Sequence, residues 1–204
     1  MALTGLFLCS FLAVHLYGNL FLFVSEHAFN EHAESFASNL LIRTIEVLLF
    51  FAIVAHAATG LYVTKQNRAA RPVRYRRHRS AGFRTLASRS MFITGSIVFI
   101  YLVIHIRNFF YETRFGAVHD GDSLYRLVIN TFTIPGYAIL YLVAMLLLGV
   151  HLAHGFQSAF RSLGIEHARY TPLIRGLGLT FAIAVPAAFA SMPLYFLLQG
   201  APWT

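Results

Sequence analysis

The sequence predicts an all-α fold, an integral membrane bundle of five transmembrane helices forming a single domain over residues 1–204, and three observations carry that expectation. Hydrophobic residues make up 57% of the chain and charged residues 12%, with a mean hydropathy of +0.63, far from the balance of a soluble domain. Five apolar runs, at about 3–23, 42–63, 91–110, 132–160 and 173–198, come near the ~20 residues a helix needs to cross a hydrocarbon core. Only short connections separate them. Helices are the expected form because backbone polar groups in lipid must be satisfied within each crossing segment.

The first run continues to Phe23 without the charged start and small-residue cleavage site of a signal peptide, so it reads as a retained anchor. It begins almost at once, with MALTGLF, so a short basic segment before it is expected to be missing from this version. The 24–41 loop carries three Glu and no Lys or Arg. After the second run, the 64–90 connection holds nine of the sixteen Lys and Arg and no acid. By the positive-inside rule that loop is cytoplasmic. Its charge suits topogenesis, anionic head groups or a cytoplasmic docking partner, whereas nucleic acid is not an expected ligand of a membrane-tied loop with few aromatics. The 111–126 loop mixes Glu112, Asp120 and Asp122 with two Arg and belongs outside with 24–41, giving a cytoplasmic N-terminus and an external C-terminus. Pro135 and Gly136 mark the start of the fourth helix, since proline suits a first turn. Pro186 and Pro193 predict a kink or a weakened outer end in the fifth, whose lack of histidine suggests a packing role.

Several chemistries are excluded. The single cysteine, Cys9, rules out a disulfide, an iron–sulfur cluster and a covalently attached c-type haem within this chain. No Walker loop or GxGxxG is present, and no length remains for a separate catalytic domain.

Five of the ten histidines fall inside the spans: His15, His56, His105, His151 and His154. Polar residues at such depth are costly and mark function, although a lone histidine is as readily explained by an interhelical hydrogen bond as by a ligand. Depth separates the two readings. At 1.5 Å per residue, His15 lies about 18 Å and His105 about 21 Å from the cytoplasmic end, whereas His56 and His151 lie at about 11 and 14 Å. One histidine from each of four helices, in two pairs at two levels, is what two stacked bis-histidine haem sites require. His154 lies about 4.5 Å nearer the cytoplasm than His151, and depth favours His151 modestly. Gly18, Gly60 and Gly155 follow His15, His56 and His151 by three or four residues, where small side chains admit a flat macrocycle; tight helix packing is the alternative. Zinc is the weaker metal, since structural zinc draws closely spaced ligands with thiolates.

The segments MALTGLFLCSFLAVHLYGNL, IEVLLFFAIVAHAATGLYV, FITGSIVFIYLVIHIRNFF and LLLGVHLAHGFQSAFRSLG together resemble the diheme cytochrome b subunit of succinate dehydrogenase and fumarate reductase, the membrane anchor of respiratory complex II. The resemblance covers nearly the whole chain. It implies two haem b groups, the distal one held by His15 and His105 and the proximal one by His56 and His151, with His154 a neighbour. It also implies flavoprotein and iron–sulfur partner subunits on the cytoplasmic side, no flavin or cluster in this chain, and a bacterial inner-membrane location. Electrons from succinate would pass through the partners, the proximal haem and the distal haem to a quinone, with menaquinone expected. The chain alone would not oxidise succinate. The basic N-terminal segment expected to be missing is the one departure.

Glu46, the sole carboxylate within a span, is by the same analogy a candidate for quinone binding or proton exchange, or else an interfacial Glu in reach of water. Arg107 is a candidate partner for a haem propionate, with snorkelling to head groups as its alternative. Two competing readings of the whole chain are a cytochrome b of a hydrogenase or formate dehydrogenase, whose partners sit outside, and a transporter with a histidine relay.

Overall fold

The computed structural model describes residues 1–70, 83–116, 118 and 122–200, with the side chains of the same set except 83–89. Every regular element among them is helical: α1 (Ala2–Leu20) with a 3-10 turn at Phe21–Phe23, α2 (Glu26–Ser38), α3 (Leu40–Ala69), α4 (Phe83–His105) continued by a π-helical stretch at Ile106–Tyr111, α5 (Glu112–Phe115), α6 (Leu124–Thr133), α7 (Pro135–Ser162) and α8 (Thr171–Gln199). Five segments are long and apolar enough to cross a membrane, Ala2–Phe23, Leu40–Ala69, Ser90–Phe115, Pro135–Ser162 and Thr171–Gln199. The chain is an all-α, multi-pass membrane protein. The middle of the basic connection, 71–82, and Asp120 lie outside the described residues.

The bundle is organised around a ring of four helices. α1 packs on α3, α3 on α4, α4 on α7 and α7 back on α1. α8 packs most extensively on α7, outside this ring, and reaches α1 and α6. Neither α1 nor α3 has a buried residue. The centre of the ring is therefore approached across its two diagonals, α1 to α4 and α3 to α7.

The two connections read as acidic loops contain helices. Each starts at a serine cap: the Ser25 hydroxyl accepts from the Ala28 N–H at 3.1 Å, and the Ser123 hydroxyl from the Arg126 N–H at 3.3 Å. α6 buries Val128, Ile129 and Phe132 against Leu22, Phe29, Met192 and Phe196, closing one end of the bundle. Fully burying such side chains stabilises by about 1.5–3 kcal/mol each, which holds a ten-residue helix that would be marginal alone. Asn30 ties α2 to α6, its amide donating to the Ser123 hydroxyl and its oxygen accepting from the Tyr125 N–H, both at 3.0 Å.

Pro135 occupies the first turn of α7, as its fixed φ predicts. At the other end Gly164, with φ of 74°, donates to the Arg161 carbonyl at 3.0 Å while Ile165 donates to that of Phe160 at 3.1 Å, a glycine-closed helix end. α8 is helical without a break to Gln199, with Pro186 and Pro193 inside it. Pro186 has no N–H for the Ala182 carbonyl four residues back. α7 passes close over that carbonyl at Gly149, where a Cβ would stand only 3.0 Å from the oxygen. Packing thus shields the polar group that proline frees.

Candidate functional site

Four of the intramembrane histidines meet in two pairs, and each pair spans one diagonal of the ring. His15 of α1 faces His105, the last residue of α4, with ring centres 5.8 Å apart and planes at 88°. His56 of α3 faces His151 of α7 at 6.3 Å and 75°. In the HLAHG stretch it is therefore His151, not its neighbour three residues on, whose ring meets His56; His154 is partly buried one turn further along α7.

These separations suit a shared metal. With ~2 Å from metal to each imidazole nitrogen and ~1.1 Å from nitrogen to ring centre, two rings on one metal have centres about 6 Å apart. The ring planes need only contain the nitrogen–metal axis, so a perpendicular pair serves as well as a parallel one. Among the described residues no three His, Cys, Asp or Glu side chains converge. A zinc site asks for three or four protein ligands, whereas haem iron, held by four porphyrin nitrogens, asks for two. The Nδ1 of His151 is buried without a hydrogen-bond partner. Such a group is expensive in an apolar interior unless the imidazole has another task.

The surroundings of the two pairs differ. Around His15 and His105 the walls are aromatic: Phe11 stacks on His15 at 5.2 Å, Phe189 tilts against it at 5.6 Å, and Tyr101, Phe109 and Tyr141 surround His105 at 5.3–6.0 Å. α8, expected only to pack, thus supplies Phe189 to this site. Around His56 and His151 the close neighbours are glycines. A Cβ on Gly5 of α1 would lie 3.3 Å from His56 Cε1, and one on Gly95 of α4 would lie 3.2 Å from His151 Cε1.

The glycines expected to admit a macrocycle, Gly18, Gly60 and Gly155, meet other side chains. Gly18 abuts His32 of α2, with 3.0 Å from a built Cβ to Nε2; Gly60 faces Met1 at 3.5 Å; Gly155 faces Met91 at 3.9 Å. A glycine one turn from each histidine lies on the same helix as the ring. The close approach is made instead by the next helix round the ring, α1 against α3 and α4 against α7. A threonine–glycine step recurs in LTG, ATG and ITG on three spans, but Gly60 shares it without meeting a histidine ring, so the pattern does not single out Gly5 and Gly95.

Two charged candidates have protein partners. Glu46 receives the Arg114 guanidinium, whose Nη2 lies 2.7 and 3.0 Å from its two oxygens, and Arg43 stands 3.9 Å away. The Arg114 Nε is buried without a partner. Arg107 is 62% exposed, pairs with Glu112 and lies over the Tyr111 ring at 4.4 Å, the posture of the snorkelling alternative. Thr4 and Tyr141, which no motif marked, bring hydroxyls to His56 Nδ1 at 3.3 Å and to His105 Nδ1 at 3.4 Å.

Comparison with protein-family models, curated proteins and solved structures finds no match for the chain.

Proposed function

We propose that the chain is a two-haem cytochrome b that anchors a succinate:quinone oxidoreductase, a succinate dehydrogenase or fumarate reductase, in a bacterial inner membrane. The observation that carries the reading is the pairing of His15 with His105 and of His56 with His151 across the two diagonals of one helical ring. When bound at these pairs, haem iron supplies one-electron carriage at two depths of the membrane. The residues of the chain hold, orient and desolvate.

Neutral imidazoles would offer a nitrogen lone pair to the iron. The aromatic wall about His15 and His105 excludes water, and Gly5 and Gly95 let α1 and α4 pack directly against the His56 and His151 rings. Flavoprotein and iron–sulfur partners are assigned to the cytoplasmic side, where the basic 64–90 connection would face them. On the opposite side Glu46, oriented by Arg114, is the carboxylate proposed for menaquinone binding or proton exchange.

A reduced-minus-oxidised visible spectrum of the purified chain, with haem counted per polypeptide, tests the core of the reading. Two b-type haems per chain are expected, and a colourless folded protein would refute it. Co-purification of a flavoprotein and an iron–sulfur protein from the native membrane tests the assignment to succinate oxidation or fumarate reduction.

A further inference from the structure

Each histidine pair contains one imidazole whose Nδ1 meets a hydroxyl brought by a third helix. For His56 of α3 it is Thr4 of α1, and for His105 of α4 it is Tyr141 of α7. The Thr4 hydroxyl has one hydrogen, and it donates that hydrogen to the Met1 carbonyl at 2.9 Å. Toward His56 its oxygen can therefore only accept. The His56 ring also hydrogen-bonds the Met1 backbone; with its proton on Nδ1, shared between the Thr4 oxygen and Met1, it keeps the lone pair on Nε2. Tyr141 is 4% exposed and locked among the rings of Tyr101 and Phe132, at 4.9 and 5.1 Å, so its hydroxyl is placed by packing. The remaining two histidines lack such a clamp. His151 Nδ1 has no partner, and the His15 ring meets the Asn19 amide of its own helix at 3.4 Å.

We propose that Thr4 and Tyr141 are positioning residues, one per pair, whose hydroxyl oxygens accept from Nδ1–H of His56 and of His105 and so fix the ring orientation in which Nε2 faces the metal. This rests on reading the pairs as haem-iron ligands. A hydrogen bond at the second nitrogen makes an imidazole a more basic ligand, and a more basic ligand favours the ferric over the ferrous state. Thr4 thereby acts on the His56–His151 pair and Tyr141 on the His15–His105 pair, each without touching the other.

The test is a redox titration of both haems, with the ferric low-spin resonance spectrum, in the full chain and in Tyr141→Phe, Thr4→Val and Thr4→Ser. Tyr101→Phe serves as a control for packing, since Tyr101 meets His105 ring to ring. Tyr141→Phe is expected to weaken the ferric preference of one haem two- to tenfold, a rise of about 20–60 mV at 59 mV per tenfold. Thr4→Val should do the same to the other haem, and Thr4→Ser should restore it. Two haems with unchanged potentials in both variants would overturn the proposal and leave the haem reading intact, as would an equal shift in Tyr101→Phe or a failure of Thr4→Ser to rescue. A parent chain without haem would overturn both.

Discussion

The rings of His56 and His151 approach to 6.3 Å although their helices, α3 and α7, lie diagonally across the bundle and pack mainly on other neighbours. The same holds for His15 and His105 on α1 and α4. A histidine pair that only stitched two helices together would be expected on adjacent helices, where backbone packing already brings side chains within reach. Placed on the diagonals, the pairs point into the space that four helices enclose.

Replacing single histidines resolves the choice within HLAHG. His151→Ala is expected to leave one haem per chain and His154→Ala to leave two, counted by pigment extraction against protein. The reverse outcome would move the ligand one turn along α7.

Glycine replacements test the close approach of neighbouring helices to the histidine rings. Alanine is favoured over glycine in a helix interior by about 1 kcal/mol, so Gly155→Ala, which meets only Met91 Cε at 3.9 Å, should be neutral or stabilising. Gly95→Ala and Gly5→Ala press on His151 and His56 at 3.2 and 3.3 Å. They should weaken haem retention roughly tenfold, the low end of effects seen when the groups orienting a metal ligand are disturbed. Haem titration into the stripped protein measures this, and a larger loss in Gly155→Ala than in Gly95→Ala would contradict the placement.

The Glu46–Arg114 pair joins α3 to α5, and its side chains are 29% and 15% exposed. Arg114→Met leaves a half-buried carboxylate short of its main donor, a loss of about 1–3 kcal/mol, read as a lower midpoint of thermal unfolding in detergent. The double variant with Glu46→Gln should recover part of that loss, and additive effects would show that the pair is not coupled.

A pH dependence is expected at the α2–α6 clasp. A hydrogen bond from Ser123, then the Arg126 guanidinium at 2.9 Å, holds the Glu26 carboxyl below its usual range. A folded value below the unfolded one gives stability that is complete above the ordinary carboxyl pKa of ~4.3 and is lost as pH falls through the lower folded value. Because the pair is surface-exposed, the effect is about half a kcal/mol or less. Hydrogen-exchange protection of the Tyr125 amide, which donates to Asn30, should fall in that acid window and become pH-independent there in Glu26→Gln.

Much of the site was legible in the residues because depth in a membrane helix is linear in residue number. Counted from the cytoplasmic ends that the basic loop sets, the 1.5 Å rise sorts His15 with His105 and His56 with His151, and short connections make consecutive spans neighbours, which leaves alternate spans to face each other. Length and apolar composition likewise fixed the number of crossing helices. α2 and α6 escaped notice because thirteen- and ten-residue helices capped by single serines carry little signal beside runs twice as long.

What tertiary structure alone decided is azimuth. A helix turns 100° per residue, so depth says nothing about which side chains of the adjacent helix arrive at the same point. That is why Gly5 and Gly95, rather than Gly60 and Gly155, lie against the His56 and His151 rings. It is also why Arg107 turns outward to Glu112 while Tyr141 and Thr4 turn inward to His105 and His56. The levels of the histidines come from the covalent rise of one helix; their surroundings come from the way neighbouring helices rotate to pack, a property that no single segment contains.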